Sequence, residues 1–316
     1  MESSQAASSV MMIRPDGFGF NPETAVSNSF QQAEGKDNTQ GIRRQAKEEF
    51  EGLVSSLKSA GVEVITFDPI RKDETPDAVF PNNWVSFHPD GRVILYPMMA
   101  PSRRLERSLT HITSLENDYD FEVNEIIDLS YFEEEGHFLE GTGSMVIDYN
   151  QGIIYANHSP RTSEVVLNKV AEIFDYQVIQ FNAADRQGID IYHTNVLMCV
   201  GSAFAVICLD ALPNRRSRLI LEDSLCSQGQ ELVTISFDQM NHFAGNMMEL
   251  QAANGDLILA MSTAAYQSLN TEQKQTLGKY CQLVHAPIDT IEKFGGGSVR
   301  CMLAGIFLAK RDYSSE

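Results

Sequence analysis

The stretch FPNNWVSF (80–87) sets a polar turn directly ahead of an apolar strand, and the chain writes the same shape four more times. EGTGSMVI (140–147), YHTNVLMC (192–199), FAGNMMEL (243–250) and SVRCMLAG (298–305) share it. Aligned on the strand start, their fourth positions are Asn83, Gly143, Asn195, Asn246 and Cys301, separated by 60, 52, 51 and 55 residues. A period of that length marks an array of supersecondary units.

The intervals repeat as well. After each turn comes a β-rich apolar run, at 93–96, 153–155, 203–209 and 256–260. Helical periodicity then appears at 104–115, 163–174 and 271–281, followed by second β-rich runs at 123–129, 176–181, 231–237 and 283–286. The N-terminal portion supplies the fifth unit, with strands at 10–14 and 62–67 around a helix at 43–60. No linker divides the series, so the sequence predicts one α/β domain over 1–316, five ββαβ units arranged around an axis. Radial repetition gathers equivalent turns at the centre, which would bring Asn83, Glu140, His193, Asn195 and Cys301 together.

Composition narrows the function. With 24 Lys+Arg against 43 Asp+Glu, the formal net charge is −19, a field that repels phosphate backbones and anionic bilayers. Neither nucleic acid nor a membrane is expected as a partner. Residues 1–10 are polar and small with no basic-then-apolar pattern, and no 18-residue apolar run follows, so neither a leader nor an anchor is expected. Five cysteines (Cys199, Cys208, Cys226, Cys281, Cys301) make an odd set without a CxxC pair, which suits the reducing cytoplasm; about four read as small buried hydrophobes. The remaining histidines (His88, His111, His137, His158, His242, His285) are scattered without ligand spacing, so no metal or other cofactor is called for.

The chemistry concentrates at the turns. Cys301 follows three glycines (Gly295 to Gly297), whose bare backbone can approach a ligand and present N–H groups to developing negative charge. A thiol with a histidine elsewhere in the chain is the pattern of a nucleophile served by one imidazole, here His193 in IDIYHTNV. Glu140, in a small-residue turn, offers a carboxylate to a ligand.

In order and spacing, FPNNW, LYPMMAPSRRLE, LEGTG, YHTN and GGGSVRCM resemble the guanidino-group-modifying superfamily, which includes arginine deiminases, dimethylarginine hydrolases, succinylarginine dihydrolase and amidinotransferases. The resemblance covers nearly the whole chain. It implies a five-bladed, pentein-type α/β propeller with pseudo-fivefold symmetry and catalysis on its axis through a covalent thiouronium-type intermediate. It further implies Cys301 as nucleophile, His193 as general acid-base and Glu140 as the carboxylate that holds substrate nitrogens. Arg103 and Arg161 fall where deiminases place arginines for the substrate α-carboxylate, a contact suited to bidentate pairing.

The departures bear on substrate. Deiminases carry Asp where this chain has Asn83, and an HxD pair where it has His193, Thr194 and Asn195. A guanidinium needs anionic partners when buried, whereas a neutral ureido group offers a carbonyl that an amide N–H can satisfy. The arginine that deiminases place before the nucleophile is also missing, with glycine at 295–297 instead. The sequence therefore predicts a metal-independent hydrolase of a ureido amino acid, citrulline going to ornithine, ammonia and carbon dioxide. A deiminase, dihydrolase or amidinotransferase acting on a guanidino substrate is the same-class alternative, and a non-catalytic propeller that only binds a partner is the other. Substrate is a small molecule in either catalytic case, and a homo-oligomer is compatible with the sequence.

Overall fold

A computed structural model describes residues 5–71 and 73–311; the first four residues of the polar opening lie outside them. In chain order the strands are β1 (Ser9–Ile13), β2 (Glu63–Phe67), β3 (Val85–Phe87), β4 (Arg92–Leu95), β5 (Glu125–Asp128), β6 (Val146–Asp148), β7 (Ile153–Asn157) and β8 (Gln177–Phe181). They continue as β9 (Met198–Val200), β10 (Phe204–Ile207), β11 (Glu231–Thr234), β12 (Met248–Gln251), β13 (Leu257–Ser262), β14 (Gln282–Ala286) and β15 (Ala304–Ile306).

These form five three-stranded sheets: β3-β4-β5, β6-β7-β8, β9-β10-β11, β12-β13-β14 and β15-β1-β2. Each has one plan, the first strand antiparallel to the second and the second parallel to the third. In four sheets a tight turn joins the first pair, whereas every parallel pair needs a crossover, and a helical segment fills each one. The fifth sheet joins the two ends of the described chain, since β15 pairs with β1 through Ser9 opposite Ile306. First strands of different sheets lie side by side, β15 with β3, β6 with β9 and β9 with β12.

Helices cover the sheets through apolar stripes. In helix Thr39–Ser59, Ile42, Ala46, Phe50, Leu53, Val54 and Leu57 recur at helical spacing and are buried, while Asn38 caps the first turn by accepting from the Gly41 N–H. Phe50 is fully buried, and its truncation to alanine would cost about 3–5 kcal/mol.

Several boundaries differ from the pattern in the sequence. The helical run at 104–115 is two helices, Pro101–Arg104 and Leu109–Asp118, because the first ends at its cap Leu105 and Ser108, in extended backbone, caps the second by accepting from the His111 N–H. The run at 231–237 stops at Thr234, where Ser236 and Gln239 build a capping box for a helix at Phe237–Asn241. Helix Arg215–Cys226 escaped the periodicity because only Leu221 and Leu225 of its face are buried. No helix among the described residues is long and apolar enough to cross a membrane.

Candidate active site

The five repeated segments occupy equivalent places, each a tight turn leading into the first strand of a sheet. Four are single helical turns, at Pro81–Asn83, Gly141–Ser144, Thr194–Leu197 and Val299–Met302. Glu140 and His193 stand at the residue just before their turns, so both side chains leave extended or bridging backbone and face the other turns. The turns touch one another: the Thr194 hydroxyl lies 2.6 Å from the Ser144 carbonyl, and Asn82 Nδ2 donates to Thr142 Oγ1 at 3.3 Å.

Two glycines make this closeness sterically feasible. Gly141 has φ +45°, and a Cβ there would stand 2.4 Å from the Asn82 carbonyl oxygen. At Gly143 a Cβ would lie 2.3 Å from Asn83 Nδ2 and 2.7 Å from His193 Nδ1. Hydrogen in place of a side chain is what lets Asn83 and His193 meet over this turn.

Glu140 is fully buried. Its Oε2 accepts from His193 Nε2 at 2.9 Å and from Arg161 Nη1 at 3.2 Å, and its Oε1 accepts from the Met99 N–H at 3.2 Å. Burial works to raise the Glu140 pKa, but the Arg161 charge, the His193 hydrogen bond and the more distant Arg103 outweigh it and hold the carboxyl well below its ordinary range. A carboxylate on Nε2 assigns the imidazole proton to that nitrogen and leaves the Nδ1 lone pair as base. For His193 burial is the largest influence; it pushes the imidazole down to about 4, with Glu140 resisting and the two arginines adding to the shift. The imidazole is therefore neutral at pH 7.

Cys301 is buried, and two amides converge on its sulfur. Asn195 Nδ2 lies 3.4 Å and Asn246 Nδ2 3.3 Å from Sγ, while Asn246 Nδ2 also reaches the Asn195 carbonyl at 2.9 Å. Donors of this kind bind a charged sulfur more strongly than a neutral one. Asn195, expected opposite the substrate, thus touches the nucleophile candidate directly. Asn246 stands at the same repeat position as Cys301, and that alignment is the one signal in the sequence that points to it.

Arg103 and Arg161 border the same void as Cys301, His193 and Asn83, yet both are engaged. Arg103 is paired with Glu106 at 2.9 Å, donates to the Phe80 carbonyl at 3.0 Å and to Asn83 Oδ1 at 2.6 Å. Burial pushes Glu106 up to about 7; three Arg103 contacts act against that shift and favour the ion pair. Because a guanidinium can only donate, the contact fixes the Asn83 amide with oxygen toward Arg103 and leaves Nδ2, beside Gly143, without a partner.

Asp77 was missed altogether. Its Oδ2 accepts from Asn21 Nδ2 at 2.8 Å and Thr24 Oγ1 at 2.9 Å, its Oδ1 has no partner, and burial raises its pKa. No pattern in TPDAVF (75–80) distinguishes it. Four of the ten buried side-chain polar atoms without a partner among the described residues lie at or beside this site: Asp77 Oδ1, Asn82 Oδ1, Asn83 Nδ2 and Asn246 Oδ1. Each such atom is costly unless a ligand satisfies it.

A strap from the N-terminal region crosses the void. Arg161 Nη2 donates to the Thr24 carbonyl at 2.8 Å and to Ser27 Oγ at 2.7 Å, Asn28 Nδ2 reaches the Gly296 carbonyl at 3.3 Å, and Gln31 Nε2 holds the Phe294 carbonyl at 3.0 Å. The void measures about 10 Å³, room for about one water. A citrulline-sized substrate needs more room than this, and the strap is one of the walls that bound the void. Among the described residues no group of three or more His, Cys, Asp or Glu could hold a metal ion.

Residues 14–308 match the family described as N,N dimethylarginine dimethylhydrolase, eukaryotic. No curated protein sequence matches. Solved structures share the fold. The N-terminal domain of ArgZ, a cyanobacterial arginine dihydrolase, solved as a cysteine-to-serine variant bound to substrate, superposes with TM-score 0.71 at 16% identity over 93% of this chain and 96% of that one. Against whole ArgZ this chain spans only 40% of the length. AgrE in complex with L-arginine gives 0.73 at 18% identity, over 96% of this chain and 41% of AgrE. A dimethylarginine hydrolase of Pseudomonas aeruginosa, a cysteine-to-serine variant complexed with citrulline, gives 0.64 at 13% identity over 94% and 98%.

Proposed function

The chain belongs to the eukaryotic-type N,N-dimethylarginine dimethylhydrolase family, within the guanidino-group-modifying superfamily, and from that membership and the site geometry we propose a cysteine-dependent hydrolase of a ureido amino acid. It acts on carbon–nitrogen bonds other than peptide bonds. The substrate proposed is citrulline, converted with water to ornithine, ammonia and carbon dioxide.

One observation carries the ureido reading: Asn83 borders the void with Cys301, and Arg103 pins its amide so that the group left buried and unpartnered is a donor, Nδ2, and not an acceptor. A ureido oxygen satisfies it; a guanidinium N–H does not. In the proposed reaction His193 Nδ1 takes the Cys301 thiol proton, and the thiolate adds to the ureido carbon. Asn83 donates to the oxygen as it gains charge. Collapse expels a nitrogen that leaves with the proton held by His193, and the first product is ammonia. Water, deprotonated by the same imidazole, cleaves the thiocarbamate on Cys301, and the carbamate released loses carbon dioxide to give the amine. Asn195 and Asn246 stabilise the sulfur when it is charged, Glu140 holds the His193 tautomer, and Asp77 Oδ1 suits an α-ammonium group. Arg103 acts as a positioning residue through Asn83. Arg161 would meet the α-carboxylate once the strap lifts, because that group can replace its contacts with Thr24 and Ser27.

The five sheets are proposed to close as blades of a pentein-type propeller with pseudo-fivefold symmetry, one domain over 1–316 with the site on its axis. A reducing cytoplasm suits the five free cysteines.

A second reading, arginine as the first substrate, is favoured by Asp77, a carboxylate bordering the void whose Oδ1 has no partner among the described residues and which a guanidinium N–H would satisfy. Quantifying ornithine, citrulline and ammonia from each amino acid separates the cases. Ornithine from citrulline supports the first; efficient turnover of arginine with none of citrulline overturns it, and no turnover of either would favour the binding module.

A further inference from the structure

The first strands of all five sheets line one cavity of about 50 Å³, with Ser86 of β3, Ile147 of β6, Cys199 of β9, Glu249 of β12 and Gly305 of β15 in its wall. Cys301, His193, Glu140 and Asn83 do not line it. Its volume is room for about four water-sized positions, and the groups facing it are poorly satisfied. Arg300 is the only cation in the wall. Its guanidinium makes one hydrogen bond, Nη1 to the Leu303 carbonyl at 2.9 Å, and no carboxylate pairs with it among the described residues. The Tyr149 hydroxyl has no hydrogen-bond partner among them either, and the phenol ring is buried. Glu249, 3% exposed, accepts from the Ser202 N–H at 2.7 Å through Oε2, while its Oε1 has no partner.

We propose that this cavity is a binding site for hydrogencarbonate, distinct from the catalytic void although Asn195, which donates to Cys301 Sγ, also lies in its wall. Arg300 and Tyr149 offer donors to the cavity, and Glu249, whose Oε1 has no partner among the described residues, also borders it. A ligand that fits must be anionic for the guanidinium, small, and also carry a proton to donate. Hydrogencarbonate has four heavy atoms, two oxygens for the planar guanidinium fork and the phenol, and an O–H for Glu249. Nitrate and formate have the shape without that proton, and chloride has neither. On a chain of net charge −19 an anion gathers only where a local cation holds it, so the site stands or falls with Arg300.

The test uses the full chain and ¹³C-labelled hydrogencarbonate, followed by ¹³C line broadening at fixed pH and ionic strength, with nitrate and chloride as competitors. Saturable broadening is expected, with nitrate binding at least about tenfold more weakly. Arg300→Gln should weaken binding by about tenfold or more and Tyr149→Phe by about threefold to tenfold. Glu249→Gln should remove the preference over nitrate, because a carboxamide can turn a donor toward the anion. Tyr149→Phe keeps the ring, so it remains informative if Arg300→Gln fails to fold; melting temperatures identify that case. No saturable broadening, equal binding of nitrate and hydrogencarbonate, or binding that survives Tyr149→Phe unchanged would each overturn the assignment.

Discussion

Replacing Asn83 by Asp changes one atom of interest. Oδ1 keeps its contact with Arg103 Nη1, now charge-assisted, so the side chain stays where it is. The atom at the Nδ2 position, buried and unpartnered, turns from donor to acceptor. A ureido oxygen bound there loses a hydrogen bond and meets a carboxylate oxygen, at a cost of about 1–3 kcal/mol, or about fivefold to 150-fold in kcat/KM. A guanidinium meets an anion in place of an unmatched donor and gains in the same measure. The assay is the ratio of kcat/KM for citrulline to that for arginine, in wild type and Asn83→Asp. The ratio should favour citrulline in wild type and fall by at least about tenfold in the variant. An unchanged ratio in a variant that melts normally would mean that Asn83 does not face the reacting group, and the ureido argument would fail with it.

Gly143→Ala puts a methyl group 2.3 Å from Asn83 Nδ2 and 2.7 Å from His193 Nδ1, so kcat should drop by about a hundredfold while the melting temperature falls modestly, a split that steady-state kinetics and calorimetry can read. Glu140→Gln leaves Arg161 without its anion and His193 without its carboxylate; kcat should fall by about a hundredfold or more, and urea unfolding should show a loss of about 3–5 kcal/mol. Iodoacetamide should modify exposed Cys226 first and irrespective of substrate, and buried Cys301 more slowly but with protection by citrulline; peptide mapping tells the two apart, and unprotected Cys301 would count against its role. His88 is fully buried, stacked on Phe174, and burial pushes its imidazole down from 6.5 to about 3, so it stays neutral in the fold while an unfolded chain protonates it. Folding stability from this residue is present above pH 6.5 and is lost as pH falls toward 3; between pH 7 and pH 5 wild type should lose about 2 kcal/mol relative to His88→Phe in urea titrations, and a constant difference would refute the shift.

The sheets were legible in the sequence because one polar-turn-plus-strand shape recurs five times, and the spacing of those turns survives in the five identical sheet plans. Cys301, His193 and Glu140 stand out in the sequence as candidates because unusual residue types occupy the same place in repeated turns. The sequence is silent about Asp77 and the strap at Thr24, Ser27 and Asn28, ordinary polar residues whose importance comes from a partner more than 50 positions away. Arg103 shows the same limit from the other side: its position was readable, but its pairing with Glu106 and its hold on Asn83 depend on the turn out of helix Pro101–Arg104. Helix Arg215–Cys226 was invisible for a local reason, two buried leucines in twelve residues being too weak a stripe.

The account rests on Cys301 as the atom that bonds to substrate carbon. Its most direct measurement compares ornithine and ammonia release from citrulline by wild type and by Cys301→Ser, each checked for an unchanged melting temperature. Wild type should release the two products in equal amounts, and the serine variant should lose at least about a thousandfold in kcat, because a hydroxyl is a far weaker nucleophile than a thiolate at neutral pH. A folded Cys301→Ser variant that releases ornithine within about tenfold of the wild-type rate would contradict the account.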